Sequence, residues 1–535
     1  MFAYSLPKWN AKLNIKALSI VTTIIYILTT LPLLVVGLYN WPSADDMSLA
    51  LETYRCYKST GNVIATFFTA FKVGFNEYMS WMGYFFSNVM FCYSPSIFGE
   101  RWYVLVAFEM LGILTFGVCY FFNALFVKAL RSDKHLANIA SMLTLTVIVQ
   151  CMPEGLSRVE SFYWYSGAIN YMFMFSMALF WLGLMIRTVY EADSKARFRK
   201  ILWACFWGFW LGGANYMTAL QCAICSVLII VIFFMYKAGK ATIEVYDGAG
   251  SAVTVNTRTV TDKPGQAKDF EKIWIPAGIN LLGFMASCFA PGNATREALV
   301  EGFGAVKSIF IAILYSYNMM ITVYTRWEIL AAAALMIVVS WKMAGIIRHR
   351  FQHPFIFSAF AFGLSASNMV PPLYALANLE AGRLMSIIFA EYIVMLMLTV
   401  FYVTAWARQT LFSSDEKHSE NVVAFSNVSS SMIISCAVFI IFGSALCVYD
   451  NPQYYSASAA FSDLVSGDAA TYLKESRERL EILSDPSVTK AVLLPYSAQP
   501  KMLYFDDITK DKDYWINSIM ARYYEKDSVV IGGSN

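Results

Sequence analysis

The sequence predicts an all-α polytopic membrane protein of about eleven transmembrane helices, followed by a small α/β domain outside the membrane. Three observations carry this expectation. The composition is 58% hydrophobic and only 14% charged, far from that of a soluble chain. Apolar runs of membrane-crossing length recur along most of the chain, and basic residues gather in alternate loops. A soluble chain of 535 residues would divide into several domains, whereas here the bilayer must be a large part of the solvent. The net charge of +3 is spread without a basic block, so no nucleic-acid partner is expected.

Lys8, Lys12 and Lys16 precede the first apolar run, which is as long as a span and has no small-residue cleavage site after it, so it reads as a retained helix. Spans are expected near 17–38, 102–127, 136–152, 167–186, 201–216, 218–236, 273–290, 327–346, 355–374, 384–407 and 429–448. The fifth and sixth share one apolar stretch and need the tight turn that Gly212 to Asn215 can form. Residues 303–325 are apolar enough for a twelfth span, and charge decides the matter. With eleven spans, Lys128, Arg131 and Lys134, then Arg187 with Lys195 to Lys200, Lys237 to Lys272, Arg348 with Arg350, and Arg408 with Lys417 share the side of the N-terminal lysines. A twelfth would expel Arg348 and Arg350, so 303–325 is read as a re-entrant or interfacial element on the outer side.

This divides the chain into a membrane module, 1–448, with an outer loop at 39–101, and an extracytoplasmic domain, 449–535. The N-terminus is then cytoplasmic, and a multi-pass plasma-membrane protein is expected. In the outer loop Phe67, Phe71, Phe75 and Met79 recur at helical spacing opposite Lys72, Asn76 and Ser80, a pattern for a helix lying in the interface. The C-terminal segment combines an amphipathic helix, AATYLKESRERLEIL, with a strand-like KAVLLPY and with Trp515, Tyr523 and Tyr524, which argue for a folded unit. Most of the ten cysteines lie in apolar runs; Cys56 and Cys92 share the outer loop as a pair or as two thiols.

Asp45 and Asp46 follow the first span by a few residues. Alone they fit the start of a helix, where acids are favoured in the first turn. Their company adds weight to a second reading. Arg158 and Glu160, Trp164 and Tyr165, Asn293 and Arg296, and Glu380 and Arg383 all stand at span ends on the same side, although any one membrane-edge arginine is as readily an interface anchor. A carboxylate that takes a proton from an acceptor hydroxyl, beside arginines that hold an anionic phosphate leaving group, suits group transfer from a lipid phosphate. Such a donor needs no nucleotide, and neither a Walker motif nor a dinucleotide fingerprint is present.

These residues resemble the GT-C superfamily of integral-membrane glycosyltransferases that use polyprenyl-phosphate-linked sugars. The resemblance spans nearly the whole chain and rests on the Asp45–Asp46 pair, the amphipathic outer loop, ESFYWYSGAINY from Glu160 to Tyr171, APGNATRE from Ala290 to Glu297, EAGR from Glu380 to Arg383 and DKDYWIN from Asp511 to Asn517. It is closest in character to an uncharacterised bacterial branch. It implies an inverting transferase acting on a glycan or lipid-linked acceptor, with Asp45 or Asp46 as base; Asp46 is preferred as the better fixed by the following helix. Arg296, Arg383 and Arg158 are then expected to hold the lipid phosphate, and Glu160, Trp164, Tyr165, Asn293 and Glu380 the sugar or acceptor. The chain lacks the WWD signature of oligosaccharyltransferases, and its four histidines fall on the inner side, so no metal or other cofactor is expected, although outer carboxylates alone can hold a hard cation. A flippase or transporter, and a glycan polymerase or ligase with a lipid-diphosphate donor, are the competing expectations.

Overall fold

The computed structural model describes residues 14–238, 243–246, 252–255, 272–299, 301–411 and 418–532. Lys8, Lys12, Lys417 and most of the 237–272 loop, which entered the charge argument, lie outside the described residues. Helix dominates what is described. Helix α1 (Ile15–Gly37) shows why: Asn14 caps it by accepting from the Lys16 and Ala17 backbone N–H at 3.0 and 3.3 Å, and nothing charged follows before its end. One face buries Tyr26, Thr30, Leu33 and Val36, while Ile20, Ile24, Ile27 and Leu28 stay exposed. An exposed apolar face of that length is stable only in lipid.

The chain continues through α2 (Asp45–Leu49), α3 (Leu51–Thr60), α4 (Val63–Ser80), α5 (Phe85–Phe91), α6 (Leu105–Phe122), α7 (Lys134–Gln150), α8 (Leu156–Phe162), α9 (Tyr165–Ala168), α10 (Met174–Val189), α11 (Ser194–Gly212) and α12 (Tyr216–Lys237). A hairpin of β1 (Ile243–Tyr246) and β2 (Ala252–Val255) precedes α13 (Trp274–Cys288), α14 (Pro291–Glu297), α15 (Ala305–Met319), α16 (Trp327–Ala344), α17 (Pro354–Ser367), α18 (Val370–Leu376), α19 (Gly382–Leu411) and α20 (His418–Asp450). Among the described residues nine helices are long and apolar enough to cross a membrane, or ten if α13 and α14, bent by 48°, count as one span. That is a multi-pass membrane architecture. It falls short of the eleven expected because α7 has 17 residues and α11 opens on Lys195, Arg197, Arg199 and Lys200, while the 20-residue helix Ala305–Tyr324 joins the set.

Side-chain and backbone bonds define two ends of the bundle. At the upper end, where α1 stops, Tyr163 Oη donates to Leu33 O at 3.0 Å, Phe86 N to Gly213 O at 2.8 Å and Arg326 Nη2 to Cys151 O at 2.7 Å. At the lower end Gln409 Nε2 donates to His349 O at 2.7 Å, and Arg187 Nη2 to Asn123 Oδ1 at 2.8 Å. Helix α15 starts beside α18 through Phe303 N and Leu373 O, 3.1 Å apart. Its last turn puts Tyr324 against Phe389 and Tyr392 of α19, just before Arg326 reaches the upper end. Helices α11 and α13 touch backbone to backbone: a Cβ on Gly283 would lie 2.3 Å from Phe209 O, and one on Gly212 2.4 Å from Phe284 N. Such close approach suits helices that pack by contact rather than by exclusion of water.

Beyond α20 come α21 (Ser456–Val465), α22 (Asp468–Ser484), β3 (Lys490–Leu493), α23 (Trp515–Tyr523) and β4 (Ser528–Ile531). The two strands pair in parallel, from Lys490 opposite Ser528 to Leu493 opposite Ile531. Arg479 binds both oxygens of Asp507, at 2.7 and 2.9 Å, and its guanidinium lies 3.6 Å from the Tyr496 ring centre. This segment caps the upper end. Tyr523 stacks on Tyr54 of α3 at 4.1 Å, and Ala457 N donates to Gln150 Oε1 of α7 at 3.0 Å.

Candidate functional site

The acidic pair sits in the first turn after α1. Asn40 fixes the approach, its Nδ2 donating to Tyr163 O at 2.7 Å, and Ala44 then takes φ 49° and ψ −120°, a conformation a non-glycine residue adopts only under constraint. The constraint is Asp46. It is buried, its Oδ1 accepts from Ser166 N at 2.9 Å and Ser166 Oγ at 2.7 Å, and its Oδ2 accepts from Ser43 N at 3.2 Å and from Tyr103 Oη. Burial pushes its carboxyl up to about 6, against the pull of the hydrogen bonds from Tyr103 and Ser166. Four protein donors engage both oxygens of Asp46, the acid preferred from the sequence, so of the pair Asp45 is the one whose carboxylate the fold leaves more open. Asp45 is only partly buried, and among the described residues its carboxylate has one hydrogen-bonded neighbour, Ser48 Oγ at 3.5 Å. Burial raises its carboxyl above the usual carboxylate range, while the Arg383 charge and then Ser48 draw it back.

Arg383 opens α19. Its backbone N and its Nη1 both donate to Glu160 Oε2, at 2.8 and 3.1 Å, and its guanidinium lies 5.6 Å from the Trp164 ring centre. The side chain of Glu160 is 2% exposed and that of Arg383 35%, so the acid is used up in holding the cation while the cation keeps an open flank. Tyr171 stands within electrostatic reach of both Arg383 and Arg296. Arg296, at the end of α14, donates from Nη1 to Tyr84 Oη at 2.9 Å. Two partly exposed arginines, one bonded to the Tyr84 hydroxyl and the other within electrostatic reach of the Asp45 carboxylate, form an arrangement that can hold an anion near an acid.

The remaining residues expected at a sugar or phosphate serve as supports. Arg158 is buried, with its Nε on Met152 O at 3.1 Å, Nη2 on Tyr454 O at 2.7 Å and Nη1 on Gln453 O, so it anchors the chain after α20 rather than a phosphate. Burial without an acidic hydrogen-bond partner lowers its guanidinium to about 10. Asn293 has both ends of its amide engaged, Oδ1 accepting from Gly83 N at 2.9 Å and Tyr216 Oη at 2.7 Å and Nδ2 donating to Ser287 O at 2.9 Å, which fixes the helix carrying Arg296. Trp164 is buried, stacks on Phe505 at 3.9 Å and donates to Ser43 O at 3.2 Å. Tyr165 is buried with its hydroxyl on Met90 O at 2.8 Å. Glu380 is exposed, three residues from Arg383.

Tyr84, Tyr103, Ser166, Tyr171 and Phe505 belong to this constellation and were not singled out from the sequence. Ser166 and Tyr171 lie within the ESFYWYSGAINY motif, which was their only signal; Phe505 has none. Among the described residues no group of three His, Cys, Asp or Glu side chains is placed to hold a metal ion. Cys56 and Cys92 are separate thiols, the second buried. An open depression of about 570 Å³ lies elsewhere, lined by Asp193, Lys195 and Arg199 at the start of α11. Comparison with protein-family models finds no match for this chain, and comparison with curated proteins finds none either.

Proposed function

We propose that the protein is a GT-C-like glycosyltransferase that moves one sugar from a polyprenyl phosphate to a glycan or lipid-linked acceptor on the extracytoplasmic face of a plasma membrane. The observation that carries this reading is the partly exposed Asp45 within electrostatic reach of Arg383, with Tyr171 within electrostatic reach of both Arg383 and Arg296. In the reaction Asp45 takes the proton of the acceptor hydroxyl as its oxygen bonds to the anomeric carbon. The bond from that carbon to the phosphate oxygen breaks, and the electron pair leaves with the polyprenyl phosphate. Arg383 and Arg296 hold the charge that develops there, and Tyr171 and Tyr84 add hydroxyl donors. Attack from the face opposite the phosphate inverts the anomeric centre. The exposed apolar flank of α4, with Phe67, Phe68, Phe75 and Met79, supports an interfacial placement beside the lipid donor.

The deciding experiment supplies purified protein with a labelled polyprenyl-phosphate sugar and a mixed glycan acceptor. Release of polyprenyl phosphate by wild type, and its loss in Asp45→Asn, is the expected result; equal release by both removes Asp45 as base. A transporter is favoured by one specific observation, the buried acid Glu391 inside α19. Uptake of the labelled lipid headgroup into sealed vesicles with no new glycosidic bond would select that reading.

A further inference from the structure

About 12 Å down α19 from Arg383, at 1.5 Å per residue, three polar side chains, from two helices and a helix break, meet inside the bundle. Glu391 of α19 and Asn368, at the break between α17 and α18, are both fully enclosed, and Gln221 reaches them from α12. Gln221 Nε2 and Asn368 Nδ2 both donate to Glu391 Oε2, and Gln221 also donates to Leu364 O at 3.1 Å. Two buried atoms of the same pair are left without any partner: Glu391 Oε1 and Asn368 Oδ1. Both are acceptors when the carboxylate is ionised. A single hydrogen placed between them satisfies both.

We propose that Glu391 is a proton-binding site, its proton carried on Oε1 and donated to Asn368 Oδ1. Together with the bond from Asn368 Nδ2 to Oε2, this closes a cyclic acid–amide pair with two antiparallel hydrogen bonds. Other occupants fit less well. A monovalent metal ion needs several oxygen ligands, and among the described residues only two side-chain oxygens of this cluster lack a partner, while Oε2 already faces two N–H donors. An ionised carboxylate needs a cation in so enclosed a place, yet the groups that bond it are neutral amides, and the titratable groups facing it from α12 are the thiols of Cys222 and Cys225. The pair also has a mechanical role. It ties the α17–α18 break to α19, and Leu373 of α18 receives the backbone bond that starts α15.

Infrared difference spectroscopy of the purified protein at neutral pH reads this directly. Wild type minus Glu391→Gln is expected to show the carbonyl stretch of a hydrogen-bonded protonated carboxylic acid, unchanged when sodium is replaced by potassium. Asn368→Leu should move that band to higher frequency by removing its acceptor. Loss of a carboxylate stretch in place of the acid band overturns the proposal, as does a band that responds to sodium or ignores Asn368→Leu. Gln at 391 can donate to Asn368 Oδ1 from the position of Oε1, so Glu391→Gln is expected to melt within a few degrees of wild type. A much lower melting temperature for it also counts against the ring.

Discussion

Asp45 and Asp46 are neighbours in sequence and opposites in environment: one meets a single hydroxyl, the other four donors. Asp45→Asn is therefore expected to lower turnover by roughly 10²–10⁴-fold, the contribution of a positioned base, with an unchanged melting temperature. Asp46→Asn should instead cost about 1–3 kcal/mol of stability, because an amide presents two hydrogens of its own to donors that expect an acceptor; a thermal melt checks this. The pH profile carries a sign. Asp45 must be ionised to act as base, and burial raises its carboxyl, so activity should fall on acidification at a pH above the ordinary carboxylate range. Ser48→Ala removes one lowering influence and should move that acidic limb further up; a downward move in the measured kcat/KM profile would contradict the assignment. The acids were legible in the sequence as a pair beyond a span end. Which of them is more open was not, since three of the four donors to Asp46 stand 57 and 120 positions away, at Tyr103 and Ser166.

Helices were easier to read than the duties of their ends. The spacing of Phe67, Phe71, Phe75 and Met79 marked α4, and the helix exposes most of that face while burying the small Thr66, Ala70 and Gly74. Local periodicity is enough to identify such an element. The engagements of Arg158 and Asn293 were not legible in the same way, because their partners are remote: Gln453 and Tyr454 for the first, Gly83 and Tyr216 for the second. The placement of α14 against the turn before α5 is the element most open to test. A Cβ on Gly83 would lie 2.1 Å from Ser287 O and 2.5 Å from Tyr216 Oη, so Gly83→Ala must push α14 and Arg296 outward. Donor KM should rise in this variant while a melt shows the bundle intact.

For the whole molecule, alternation of apolar runs and basic loops was enough to reveal a polytopic chain, but the number of crossings depends on how α7, α11 and α15 are counted. Contacts bear on α15. Its start beside Leu373 and its end beside Tyr392 and Arg326 both belong to the upper half of the bundle, as the re-entrant or interfacial reading requires, while the 20-residue helix Ala305–Tyr324 is also long and apolar enough to cross. Cysteines introduced at Glu380 and Arg350 should then react with a membrane-impermeant reagent from opposite sides of sealed vesicles, and labelling from one side would rule out the proposed topology. The stacking of Phe505 on Trp164 has a consequence for biosynthesis. A ribosome delivers Asp45 first, Arg383 much later and Phe505 later still, and folding proceeds from the N-terminal side as the chain emerges. The ring that Phe505 lays on Trp164 comes from a segment made after the described spans that precede it, so a chain still short of that segment holds Trp164, and the Arg383 guanidinium beside it, without that support.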